Sequence, residues 1–322
     1  MKCWCGNSEL KFFNTQYVVC NFCGTLISLV GLDSEAIEVE NDSVDFYGKN
    51  YWHDHQVVDL AFPSIYDRAR NDLTERNLHW LKVLLKYRLP PAKIMELGCA
   101  HGSFVALLKH AGYNSSGVEM SPWVVDFGQQ VFEVPISVGP IEKLDILPGE
   151  LDAIVLFDVF EHLHDPVATM SLCLKLLKDD GLLLIQTPEY KEEMNFEQLL
   201  KKNDIFLYQL KSDEHLYILS QRAVHVFFEF LGAKYIYFEP AIFSQYDMFF
   251  AVSRKPIKKN ETELIESALL KTPHGRIALA MLDLRERELN LIENLKISEE
   301  DRLARWKQIQ TLTTLIKQMQ KT

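Results

Sequence analysis

Residues 93–119 read KIMELGCAHGSFVALLKHAGYNSSGVE: a short apolar run, a glycine-bearing turn, an amphipathic stretch, and a second short run that ends on an acid. Lys93 to Leu97 is too short for a helix, whereas Phe104, Val105, Leu107, Leu108 and Ala111 recur at helical spacing, so the segment reads strand, turn, helix, strand. Gly98 and Gly102 let the turn pass close to a ligand lying over the first strand's carboxyl end, which is where open α/β sheets bind their ligands.

The same rhythm extends to both sides. Between Lys93 and about Arg254, WVVDFGQQVF, VPISV, LDAIVLF, the VATMSLCLKLLK helix and GLLLIQT alternate, which predicts a mostly parallel sheet with helices on both faces. AKYIYFEP and YDMFFAVSR leave no room for a crossover helix and should pair antiparallel at one edge. Upstream, Leu73, Leu78, Leu81, Leu84 and Leu85 mark helices that end at Pro90-Pro91. Downstream, no proline or glycine occurs from Arg276 to Lys321, and Leu282, Leu289, Ile292, Leu295, Leu303, Trp306, Ile309, Leu312, Ile316 and Met319 predict a long helix or a helical hairpin. The heptad register breaks between Leu295 and Leu303. The expected organisation is a zinc-binding module over 1–30, a connector and helices over 31–90, the α/β domain over 91–255, and a linker with a C-terminal helical extension over 256–322.

A net charge of −11 and an isoelectric point near 5.4 give no footprint for nucleic acid. No segment has the apolar length of a membrane span and no leader pattern opens the chain, so the expectation is a soluble, cytoplasmic protein. Four of six cysteines fall in the first 23 residues, as Cys3-x-Cys5 and Cys20-x-x-Cys23, each pair followed by glycine. Two thiolate pairs on tight turns suit tetrahedral zinc, and four sulfur ligands leave no open position, which makes the site structural. Cys99 and Cys173, alone in apolar segments, read as buried small residues.

The turn after the first strand lacks the GxGxxG spacing of a dinucleotide site, and Glu96 beside it would repel a phosphate. It suits a cationic ligand such as S-adenosylmethionine. Glu119, ending the second strand, is placed to accept both ribose hydroxyls, with Met120 and Ile141 on the two faces of the adenine. Asp158 ends the fourth strand beside the same ligand.

ELGCAHGSF, VEMS, and FDVFEHLHDP followed by LLKDDGLLLIQTP resemble motifs of the class I S-adenosylmethionine methyltransferases, over roughly residues 90–255. The resemblance implies a Rossmann-like seven-stranded sheet and a cofactor site drawn from Glu96, Gly98, Ala100, Gly102, Glu119, Met120, Ile141, Asp158 and Val159; Ala100 stands where the family has its middle glycine. With its cysteine module, the chain further resembles the zinc-containing sugar C-methyltransferases of polysaccharide biosynthesis, in which a Glu-His pair matches Glu214-His215. Ser212 stands where those enzymes commonly have tyrosine, and helices replace their second α/β domain.

The first expectation is therefore methyl transfer to a hydroxyl or carbon of a nucleotide sugar or glycan. The alternatives are O-methylation of a quinone-like small molecule and a cofactor-binding scaffold without turnover. A sugar hydroxyl or carbon acid needs a positioned base, for which His215 beside Glu214 is the first candidate and His162 the second. Ser220 would cap the helix after this segment. His53, His55 and His164 read as surface or loop residues, and Tyr217 and Tyr246 as core residues able to line an acceptor site. For the C-terminal helix two roles stand open: a strap that packs its apolar stripe on its own domain, or a contact in a homodimer or with a partner enzyme.

Overall fold

The computed structural model describes residues 1–31, 39, 41–43, 45, 47–59 and 62–320. The connector expected over 31–50 lies in large part outside them. Three short strands come first, β1 (Leu10–Phe12), β2 (Tyr17–Cys20) and β3 (Leu26–Ser28), then an irregular π-type helix Tyr51–Asp59, α1 (Ile65–Asp72) and α2 (Leu78–Tyr87). The central run is β4 (Lys93–Leu97), α3 (Ser103–Ala111), β5 (Asn114–Glu119), α4 (Pro122–Phe132), β6 (Ile136–Val138), β7 (Leu151–Phe157), α5 (Pro166–Leu176) and β8 (Leu177–Pro188). There follow α6 (Phe196–Lys202), β9 (Tyr217–Ile218), α7 (Gln221–Phe230), β10 (Tyr235–Glu239), β11 (Asp247–Ser253), α8 (Thr262–Leu269) and α9 (Pro273–Met319).

The large sheet has the order β10-β11-β8-β7-β4-β5-β6. β8, β7, β4, β5 and β6 run parallel, and β11 and β10 join antiparallel at the edge that the short loop predicts. Both faces are covered because successive side chains of a strand point to opposite sides. On β7, Ile154 and Leu156 pack with Met170 and Cys173 of α5 and Phe227 and Phe228 of α7. Ala153, Val155 and Phe157 pack with Leu81 and Leu84 of α2 and with Phe104 and Leu108 of α3. Cys99 and Cys173 are buried among apolar neighbours. Truncating a fully buried residue such as Leu156 to alanine costs about 2–5 kcal/mol.

Three features are sharper in the structure than in the sequence, the second by choosing between the two forms expected. The helix expected through Lys178 stops at Leu176, because Leu177 pairs with Leu151 and starts β8. The C-terminal extension is a single helix of 47 residues starting at Pro273, capped by the Thr272 side chain, and not a hairpin. The helix is roughly 70 Å long at 1.5 Å per residue. Its base packs on the α/β domain, with Gly275 and Ala278 buried, but every residue from Glu286 to Gln320 is exposed.

The third feature concerns the cysteine module. Its sheet has the order β1-β2-β3-β9, all antiparallel, so its fourth strand, Tyr217–Ile218, comes from the end of the Glu214-His215 segment. Trp4 packs edge-on against Phe227 of α7 at 4.8 Å and donates its indole N–H to Thr25 Oγ1 at 2.8 Å. Among the described residues no helix is long and apolar enough to cross a membrane.

Candidate functional site

A cavity of about 550 Å³ opens at the carboxyl ends of β4, β5 and β7. The turn after β4 forms its floor. Gly98 has φ +69°, and a Cβ there would come within 2.4 Å of Val159 Cγ2, so this crossing admits only glycine. Ala100 keeps the left-handed backbone, φ +47°, that a glycine would adopt freely. Its N–H donates to Glu119 Oε2 at 3.0 Å, while Oε1 accepts from Met120 N at 2.8 Å and Ser121 N at 3.2 Å. Burial pushes the Glu119 carboxyl up, and these three N–H groups oppose the shift.

Gly98, Ala100, Glu119, Met120, Ile141, Asp158, Val159 and His162 all line the cavity. Glu96 and Gly102 do not. Glu96 lies beneath the turn, its Oε2 without a partner among the described residues; burial and then the Glu119 charge hold its carboxyl well above the usual range. Gly102 caps α3 with φ +77°, and a Cβ there would meet Ile136 Cδ1 at 2.8 Å, so its smallness serves helix-to-strand packing.

At the end of β7 a relay fixes Asp158, itself at φ +57°. Trp80 stacks on Phe157 at 4.0 Å and donates to Gln186 Oε1 at 3.1 Å; Gln186 Nε2 in turn donates to Asp158 Oδ1 at 3.1 Å. Arg76 Nη1 stands 3.5 Å from Asp158 Oδ2. Burial, then Asp158 and Glu161, raise the Asp247 carboxyl far above the usual range, and burial, then Asp158, raises that of Glu161.

The expected base pair is divided by the fold. His215 does not line the cavity: it is 4% exposed, donates Nδ1–H to the Gln209 carbonyl at 2.8 Å, and packs edge-on behind the His162 ring at 4.9 Å. Burial and then His162 hold it well below the ordinary histidine value, and burial lowers His162 as well. Glu214 turns away from His215 toward the π-type helix, where Oε1 pairs with His55 Nε2 at 2.8 Å and Oε2 accepts from the Tyr51 hydroxyl at 3.3 Å. His162 is the member of the expected trio that reaches the cavity.

His55, read from sequence as a surface residue, is thus an inner partner of Glu214, and His53 packs on Trp123 at 4.7 Å. His164 lines the cavity mouth. Tyr217 packs on the cysteine cluster and Tyr246 stacks on Phe243 at 5.5 Å; neither lines the cavity. Ser220 Oγ accepts from Ala223 N at 3.1 Å and caps α7. Sequence reasoning missed the part of the lining made by Tyr47, Tyr51, Trp52 and Arg68, of which Tyr47 meets the His162 ring edge-on at 6.3 Å. The dense YW and HDH cluster at 51–55 was the signal available for it.

In the cysteine module Cys3 and Cys23 Sγ lie 3.5 Å apart, Cys5 and Cys20 Sγ 3.6 Å, and all four sulfurs fall within 4.8 Å of one another. Tetrahedral zinc with 2.3 Å bonds to sulfur needs separations of about 3.8 Å, so the four thiolates fit that ion. Gly6 and Gly24, at φ +83° and +80°, make the turns that bring the pairs together.

A family profile described as "Methyltransferase domain" matches residues 66–237. Among curated proteins, the chain is 27% identical over 111 residues to the ubiquinone biosynthesis O-methyltransferase of Xanthomonas campestris pv. campestris (strain B100), covering 33% of this chain and 46% of that protein. It is 19% identical over 178 residues to the protein of the same name from Pseudomonas aeruginosa (strain UCBPP-PA14), covering 50% and 66%. The chain spans about half the length of the first of these relatives. Among solved structures, the magnesium protoporphyrin IX methyltransferase of Synechocystis PCC 6803 with bound SAH superposes with a TM-score of 0.45 at 16% identity, covering 64% of this chain and 98% of that one.

Proposed function

The chain belongs to the methyltransferase-domain family, and on that premise we propose that it moves a methyl group from S-adenosylmethionine to a hydroxyl oxygen of a ring-shaped acceptor held at the His162 end of the cavity. Bound there, the donor supplies an electrophilic methyl on a sulfonium. Glu119 accepts the ribose hydroxyls on the lone pairs its three N–H partners leave free, Met120 and Ile141 flank the adenine, and the Gly98–Ala100 turn admits the donor close to the backbone. Asp158, oriented by Gln186 and Arg76, presents its carboxylate to the donor's cationic part.

The observation that carries the acceptor reading is the pairing, on one cavity wall, of His162 with the aromatic side chains of Tyr47, Tyr51 and Trp52. Flat apolar surfaces suit a hydroxylated arene of the quinone-precursor kind, and the names of the curated relatives point the same way. A sugar or glycan acceptor is the second reading. What favours it is the cysteine module, whose sheet takes its fourth strand from the residues directly after Glu214-His215. Zinc in the four thiolates would hold that module's turns, and the exposed apolar row of α9 would serve association with a second copy or a partner enzyme.

The test is transfer of labelled methyl into dihydroxyarenes, quinols, nucleotide sugars and glycan oligomers, with His162→Ala and Glu119→Ala alongside. Label in the arenes, reduced at least about 100-fold by His162→Ala and accompanied by weakened donor binding only in Glu119→Ala, is the expected result. Label confined to sugars selects the second reading. Donor binding without any transfer would leave the fold as a scaffold.

A further inference from the structure

Where His162 reaches the cavity, three lone-pair groups converge that donor binding does not use, two of them behind the lining. A carboxylate oxygen of Glu161 and one ring nitrogen each of His162 and His215 all lie within 4.8 Å of one another. Each histidine directs Nδ1 outward to a backbone carbonyl, His162 to Glu214 at 3.1 Å and His215 to Gln209 at 2.8 Å. A carbonyl only accepts, so both Nδ1 atoms carry the proton and both Nε2 atoms are left as bare lone pairs. This is the outer support that metal-binding imidazoles have: the far nitrogen donates to a carbonyl, which fixes the ring and its tautomer.

Glu161 is supported in the same way. The Thr187 hydroxyl donates to Oε2 at 2.9 Å, and the residue's own backbone N–H also supports the carboxylate. No hydrogen bond or ion pair joins Glu161 to either ring. The ammonium of Lys211, whose charge acts on all three groups, sits 4.5 Å over the Phe62 ring and makes no ion pair with Glu161. Three lone-pair donors facing one another without a shared proton repel, and a cation at their centre removes the repulsion. Their chain positions reinforce the geometry, since Glu161 and His162 sit on the turn after β7 and His215 is fastened beside them by the Leu216 N–H, which donates to the Glu161 carbonyl at 2.7 Å.

We propose that Glu161, His162 and His215 bind a divalent transition-metal cation of the zinc, manganese or iron(II) class, whose open positions face the cavity and take the oxygen of the methyl acceptor. Two imidazoles and one carboxylate are a donor set for those ions and leave positions for an exogenous ligand. This deepens, and rests on, the reading of a hydroxyl acceptor at the His162 end. The coordinated hydroxyl loses its proton to water in the cavity; the resulting oxyanion attacks the methyl carbon, and the carbon–sulfur electron pair returns to sulfur. The products are a methyl ether and a neutral thioether. The cation lowers the acidity threshold of the acceptor, which makes a free base at His162 unnecessary.

The experiment strips the full chain of metal and titrates it with cobalt(II). The cysteine site announces itself by a sulfur-to-cobalt charge-transfer band. The expected result is a second equivalent that adds visible d–d absorption without adding to that band. Glu161→Gln and His215→Ala should each weaken this second equivalent by more than about 100-fold while keeping the sulfur band and donor binding, which report an intact fold. A native chain that takes up only the cysteine equivalent overturns the site, as does a second equivalent that persists unchanged in both variants. Transfer to any acceptor that proceeds at full rate in His215→Ala overturns the catalytic role while leaving the proposed function standing. A second cation bound without transfer to any hydroxylated acceptor does the reverse.

Discussion

Ala100 stands in a left-handed conformation that costs a side-chain-bearing residue about 1–2 kcal/mol, and its N–H is one of the three that hold Glu119. Ala100→Gly relieves that strain while adding freedom to the unfolded chain. Chemical denaturation should therefore find it more stable than the native protein by up to about 1 kcal/mol, with donor affinity retained; a loss of stability would mean that the Ala100 methyl packs more than it strains. The part of the cavity at the strand ends was legible because its residues are short-range: Gly98, Glu119 and Asp158 each sit at a strand end that periodicity alone marks. The part around His162 was not. His215 reads as a base beside Glu214 until the chain is folded, whereupon Glu214 is seen to serve His55 and Tyr51, residues about 160 positions earlier, and His162 takes the place on the wall. Glu161 was visible only as half of the Glu-His pair in FDVFEHLHDP, with no sign that His215 would join it.

The elements pair where their apolar periods say they should, and the misreadings fall at junctions. Leu177 fits the α5 stripe as well as it fits a strand, and only its partner Leu151 decides between them. β9 has two residues and no pattern of its own; β3 makes it a strand. That pairing gives the cysteine module leverage over the Glu214–His215 segment, so Cys23→Ser, or removal of metal by a chelator, should lower stability by at least about 4 kcal/mol and release amide protons of both β3 and Leu216–Ile218 to exchange. Exchange confined to residues 1–30 would show the two to be uncoupled. At the opposite edge, Glu239 ends β10 and accepts from Lys259 Nζ at 2.5 Å, Lys86 Nζ at 2.6 Å and the Tyr87 hydroxyl at 2.5 Å, which clamps the linker to α2. Burial pushes its carboxyl up, yet the two lysines and the tyrosine overcome this and leave it at about 2. A folded-state value below the unfolded one stabilises above the unfolded pKa and is lost as pH falls toward 2. Glu239→Gln should therefore cost about 1–3 kcal/mol at neutral pH, and the gap to the native protein should close between about pH 5 and pH 2 in acid denaturation. A gap that does not change with pH would remove the clamp.

For the molecule as a whole, α9 is the feature without an internal explanation. Sequence left it as a helix or a hairpin because the apolar register breaks after Leu295. The fold carries it straight through, with Arg302 pairing to Glu299 at 2.6 Å and Arg305 to Asp301 at 2.8 Å across the break. Leu303, Trp306, Ile309, Leu312, Ile316 and Met319 are all at least half exposed, a row that solvent does not favour. Sedimentation of the full chain should give a concentration-dependent mass above that of a monomer, and a chain ended at Arg285 should be monomeric. Equal monomer masses for both would end the association reading. The cysteine sheet imposes a demand of another kind, on the order in which the protein is made. Ser28, the last residue of β3, donates its hydroxyl to the Ser212 carbonyl, 184 residues further on, and at ribosomal speeds of 5–20 residues per second that partner emerges roughly 10–40 s later. Through that interval the four thiols stand on an unfinished sheet, open to oxidation, and need shielding, by an ion they take up early or by another protein, until the second half of the chain arrives to close over them.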